Sequence, residues 1–214
     1  MLLSNFELFV KPQLSRDFVP PSQPNLEKLS RPVIQGYFLT IDNTTISEVI
    51  VSLVFTAVTP SVDIDKTFTF VDVTGLNIPS KLTRETAPGK VRFTVPIPAN
   101  NICLFILQPD ILKNGGELLK AANFEVCGHI EIFVSSLSLL RFARLLLTPE
   151  HQGKSFKDLT ACEPEQKQIG YSFPTVNSGS LFNSSKAAFP RLESVLSSQS
   201  IDSLKILPLT FSKT

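Results

Sequence analysis

Tryptophan is absent from this 214-residue chain, and tyrosine and histidine occur twice each. Sugar-binding platforms therefore have almost nothing to be built from. Trp and Tyr supply the half-wet aromatic edge such surfaces need, and Phe does not. The three cysteines, Cys103, Cys127 and Cys162, are an odd number at distant positions. That spacing argues against a disulfide framework, contains no Cys-x-x-Cys pair, and suits free thiols in a reducing cytosol. Neither sign of charge predominates, with 20 basic against 19 acidic side chains. The basic residues are scattered, so nothing supports a nucleic-acid partner, whose affinity rests on clustered Lys and Arg. Near-neutral charge also removes one barrier to self-association.

Long apolar runs are missing too. The best candidate, Leu137 to Leu147, is broken by Arg141 and Arg144, and no membrane partner is expected. Met1 to Glu7 has no basic n-region, and Glu7 interrupts the apolar stretch, so no secretion leader is expected there. The sequons at Asn43 and Asn183 then read as chance matches. These features place the chain in the cytoplasm.

Catalytic constellations are equally scarce. No Gly-x-Ser-x-Gly elbow, Gly-rich phosphate loop or dinucleotide fingerprint occurs. His129 and His151 are the only imidazole bases available for a hydrolytic triad. His151 lies in Thr148-Pro149-Glu150-His151-Gln152-Gly153, a stretch that reads as a solvated turn. No enzyme and no cofactor is expected.

What the chain does have is phenylalanine, 17 residues of it, within a 43% apolar composition. Phe lacks a polar handle and belongs in a core or a dry contact. A chain of this length buries about 70% of its unfolded surface, enough for a core without staples. The apolar residues recur with period two. Residues 2–11, 33–42, 48–58, 66–74, 90–97, 102–107, 124–134 and 169–173 all read as strands. Lys90 to Ile97 alternates strictly, with Val91, Phe93, Val95 and Ile97 on one face. Ile102 to Leu107 is apolar on both faces, as expected of a central strand covered on both sides. Strands 33–42 and 48–58 flank Asp42-Asn43-Thr44-Thr45 and are expected to pair as a hairpin. In 66–74 the apolar frame slips from Phe68 and Phe70 to Val71 and Val73, which predicts a bulge. Leu137 to Leu147 fits a strand or a helix, and the β context favours strand. Glu117 to Ala122 is expected to make one or two helical turns after Gly115-Gly116.

Together these predict an all-β fold: a single antiparallel β-sandwich, Ig-like or jelly-roll-like, of roughly eight strands with at most short helices. The strand–Asp42-Asn43-Thr44-Thr45–strand passage resembles Ig-like modules at the level of fold alone, and a fold carries no function. The domain is expected to span 1–176, with 12–32 as a proline-rich irregular connection carrying five prolines. Residues 177–214 form a serine-rich tail with an apolar end, expected to pack on the domain or on a partner.

Two sets of residues stand out. Glu125, Cys127, His129 and Glu131 project from one face of strand 124–134, about 6–7 Å apart in succession. Cys127, His129 and Glu131 are thus the candidate metal ligands, against the simpler expectation that an outward face must be polar. In the tail, Leu204, Ile206, Leu209 and Phe211 are the candidate partner-binding residues, able to add as a strand to a sheet edge. The function expected is non-catalytic protein contact, including homo-oligomer formation. A small-ligand or metal-binding β-domain, or a subunit of an assembled shell, are the alternatives.

Overall fold

The computed structural model describes residues 1–12, 32–57, 62–113, 116–138, 142–155, 167–172 and 181–185. Its strands are β1 (Leu2–Pro12), β2 (Pro32–Asn43), β3 (Val49–Ala57), β4 (Thr67–Val73), β5 (Leu76–Ser80), β6 (Thr83–Arg84), β7 (Lys90–Ile97), β8 (Asn101–Pro109), β9 (Phe124–Val134), β10 (Phe142–Ser155), β11 (Lys167–Ser172) and β12 (Leu181–Ser185). A short helix, α1 (Glu117–Ala121), sits between β8 and β9, where helical turns were expected. Every described pairing is antiparallel. The hydrogen-bonded path runs β5-β4-β8-β2-β1-β9-β3-β7-β6, with β10 on the other edge of β2 and β11 and β12 end to end along β10.

This is one continuous sheet that curls into a half-barrel. Aromatic contacts across the concave side show the curl. Phe55 of β3 and Phe93 of β7 lie 5.5 and 4.9 Å from Phe105 of β8, although the path between them is several strands long. Phe6 and Tyr37 meet Phe55 edge-on at 5.5 and 6.4 Å, a geometry that suits the ring quadrupoles. Each fully buried Phe or Leu contributes about 1.5–3 kcal/mol relative to leaving it in water.

The alternation read from the sequence decides which residues face that core. Val91, Phe93, Val95 and Ile97 of β7 are buried, as are Phe124, Val126, Ile130, Ile132 and Val134 of β9. Gly128 breaks the β9 series for a steric reason. A Cβ there would stand 2.0 Å from the Thr56 carbonyl oxygen and 2.9 Å from the Phe6 ring.

Four sequence expectations need correction. Strands β2 and β3 do not form a hairpin: β2 pairs with β8, β10 and β1, whereas β3 pairs with β7 and β9. Asn43 explains the crossing. Fully buried, it accepts from the Thr45 N–H at 3.1 Å, and its Nδ2 lies within hydrogen-bonding distance of the Ser47, Ile97 and Pro98 carbonyls. Its side chain therefore ties the loop to the end of β7 and directs the chain across the core.

The bulge in β4 is also absent, since its register with β8 runs unbroken from Thr67 to Val73. Phe68 and Phe70 instead point to the outer face, where their rings meet at 4.2 Å. The predicted turn at 148–153 lies inside β10, which pairs with β2 from Leu145 to Ser155. Among the described residues, Pro149 sits between the stretches of β10 paired to β12 and β11, where no ladder donor is asked of it. The number of strands also exceeds the eight expected. The strand reading of Leu137 to Leu147 agrees with β10 from Phe142 onward, and the expected strand at 169–173 corresponds to β11. The proline-rich residues 13–31 lie outside the described residues.

Candidate functional site

On the outer face of β9 the side chains share one side, as alternation requires, but each has its own neighbours. Glu125 forms an ion pair with Lys11 of β1, and Glu131 lies 3.7 Å from the Lys90 ammonium of β7. Cys127 is exposed opposite Glu7, and His129 stands between Asn5 of β1 and Thr56 of β3. Among the described residues, no three His, Cys, Asp or Glu side chains are grouped closely enough to hold a metal ion. Cys103 lies on the core face of β8, where burial pushes its thiol up to about 12 and keeps it protonated. Cys162 is outside the described residues.

The second histidine has a role that a solvated turn does not suggest. β1 pairs with β2 only from Phe9 to Pro12, because β8 takes over that edge of β2 at Tyr37. At the fork the backbone of β1 loses its strand partner, and side chains replace it. The Glu7 N–H donates to His151 Nε2 at 3.1 Å. Gln35 Nε2 donates to the Glu7 carboxylate at 3.1 Å and reaches the Glu7 carbonyl at 3.5 Å. Ser4 and Tyr37 share a hydroxyl hydrogen bond of 3.0 Å, and the Tyr37 ring meets His151 edge-on at 5.9 Å.

His151, Gln35 and Ser4 are all buried. Burial lowers the His151 pKa to about 4, so at neutral pH the ring is uncharged and Nε2 can accept from the backbone. Burial also raises the Tyr37 pKa, an effect opposed by the hydrogen bond to Ser4. Ser4 is bonded to Tyr37, so this group of side chains stitches the fork.

The third feature is a surface. β8 is an interior strand between β4 and β2, as expected, but it is not covered on both sides as its two apolar faces predicted. Its inner residues Cys103, Phe105 and Leu107 are fully buried. Its outer row is not: Ile102 is 54% exposed, and Leu104 and Ile106 are only half-buried. Direct cross-strand neighbours extend the row, with Phe38 of β2 and Phe70 of β4 on either side of Ile106. They line a groove of about 550 Å³ together with Ile34 and Ile111. Gly36 forms part of its wall, and a Cβ there would come within 3.1 Å of the Gln108 Cβ. The mixed apolar pattern of 66–74 was the signal for this surface, since Phe68 and Phe70 had no place in the inner frame.

The tail residues Leu204, Ile206, Leu209 and Phe211 lie outside the described residues. No protein-family model matches the chain, and no curated protein matches it either.

Proposed function

We propose that this chain is a non-catalytic β-domain that works by protein contact, with self-association included, through the outer face of β4, β8 and β2. The observation that carries this reading is the outer row of β8. A branched apolar series on an interior strand, half-open on the side away from the core, is the chemistry of a contact surface. Its groove has backbone at Gly36 and aromatic walls at Phe38 and Phe70, able to seat a partner's side chain.

Face contact is favoured over strand addition at β5. Thr74 and Gly75 both have positive φ, 67° and 83°, which makes Val73 to Leu76 a two-residue hairpin turn. Alternation from that turn directs the backbone of Asn77 and Pro79 to the open edge, and Pro79 has no N–H to offer. On this reading the curled sheet is a variant of the two-layer antiparallel sandwich, its free thiols fit the cytoplasm, and Leu204 to Phe211 adds contact area.

The test is Ile102→Glu, which charges an exposed position and spares the core. The expected result is an unchanged melting temperature with loss of association, read by light scattering and by capture from cell extract. Association equal to that of the unaltered chain would remove the outer face of β8 from the function.

A further inference from the structure

Along one edge β1 is held by β9 from Leu2 to Val10, but along the other β2 holds it only from Phe9 to Pro12. Ahead of Phe9 that second edge meets side chains of β10 and β2. The Glu7 N–H points away from β9 to His151 Nε2, and Gln35 Nε2 reaches the Glu7 carbonyl. The buried hydroxyl pair of Ser4 and Tyr37 lies along the same seam.

The bond to Glu7 depends on the protonation of one ring. Nε2 accepts a hydrogen bond only while the imidazole is neutral and carries its proton on Nδ1. In the cation both nitrogens are donors, and an Nε2–H would meet the Glu7 N–H head on. His151 therefore cannot take a proton on Nε2 and keep its hold on β1. Its surroundings are defined by three neighbouring strands. β2 presents Tyr37, edge-on to the ring, and Gln35; β1 presents Ser4 and Glu7; β11 places Tyr171 opposite in the ladder. Glu7 is the one acidic side chain in that set, and Gln35 Nε2 donates to its carboxylate. On β10 itself Glu150 and Lys154 alternate to the other face.

We infer that His151 is a proton-operated latch: protonation releases Glu7 of β1 from β10 and opens that seam to water, while β9 keeps β1 in the sheet. The inference stands apart from the contact reading of the outer face. Burial holds the closed ring down to about 4, and a ring hydrated by opening returns to its ordinary 6.5. Opening therefore takes up a proton, and acid favours it. The midpoint falls between those two values, nearer 6.5 the less the seam costs to open. The opening is local, because the ladder of β1 with β9 does not pass through His151.

The experiment is amide hydrogen exchange of the full chain by NMR at successive pH values, each rate corrected for its intrinsic pH dependence. The His151 ring is titrated in the same samples. The Glu7 amide is expected to lose protection by at least about tenfold, with the midpoint of the His151 titration. Leu53 and Phe55, flanked by β7 and β9, are expected to keep theirs. His151→Gln retains an acceptor that does not titrate, so its Glu7 amide should stay protected throughout. That variant also leaves Glu7 in place, so any loss caused by the Glu7 carboxyl would appear in it too. Glu7 protection that is unmoved while His151 titrates overturns the latch, as does protection lost together with Leu53 and Phe55. An equal loss in His151→Gln overturns it as well. If that variant fails to fold, the comparison of Glu7 with Leu53 and Phe55 in the unaltered chain decides.

Discussion

Single side chains decide where this chain can and cannot change. Gly128 and Gly153 are both glycines within paired strands, but their surroundings differ. A Cβ at Gly128 would overlap the Thr56 carbonyl at 2.0 Å, whereas at Gly153 the nearest atom is Val33 Cγ1 at 3.7 Å. Gly128→Ala is expected to destabilise by about 3 kcal/mol or more, because backbone must move. Gly153→Ala should stay within about 0.5 kcal/mol. Urea titration of the two variants checks the contrast.

His151 makes the second residue-scale prediction. Its folded pKa of about 4 lies below the ordinary 6.5, so the unfolded chain takes the proton first. Its contribution is therefore fully present above pH 6.5 and declines as the pH falls toward 4. The loss across that window is at most about 3 kcal/mol. Unfolding free energies measured at successive pH values should show this decline in the unaltered chain. His151→Gln, which does not titrate, should lack that component; identical profiles would mean that the imidazole is not held neutral at the fork.

At the scale of elements, alternation was a reliable guide to which face of β1, β7 and β9 is buried, since period two is a local property, whereas in β3 Ser52 and Val54 of the other face are buried as well. Pairing partners are not local. β2 and β3 are sequence neighbours with matching patterns and a polar turn between them, yet Asn43 sends them to different partners. Nothing in Asp42-Asn43-Thr44-Thr45 distinguishes a hairpin from a crossing until the Ile97 and Pro98 carbonyls are brought beside it. His151 was hidden likewise, because Pro149 and its polar neighbours resemble a turn unless the gap between β11 and β12 is known. The outer surface was partly legible: the two-faced strand β8 and the misplaced Phe68 and Phe70 were both visible, but not that they meet.

Asn43→Ala tests the crossing. It strands buried carbonyls without a donor, and a cost of about 2–3 kcal/mol is expected in thermal or urea unfolding. A near-neutral result would mean that other contacts hold the loop.

At the scale of the molecule, the half-barrel has one core and two outer faces of different character. The face of β1, β9 and β7 carries ion pairs, Lys11 with Glu125 and Lys90 with Glu131. The face of β4, β8 and β2 carries apolar side chains around a groove, with the carboxylates Asp42 and Asp72 beside them. On the proposed reading the first face meets solvent and the second a partner. Phe55 joins distant strands of the curled sheet through Phe6, Tyr37 and Phe105, so Phe55→Ala is expected to cost about 3–5 kcal/mol in unfolding free energy. Phe133, 38% exposed on the outer face of β9, should tolerate the same change with little loss.

Hydroxyl-radical footprinting of the full chain, compared between dilute and associated states, discriminates most directly between these two faces. Protection is expected at Phe38, Phe70, Ile102 and Ile106, with Phe9 and Phe133 unchanged. Protection confined to Phe9 and Phe133 would contradict the assignment of the contact surface to β4, β8 and β2.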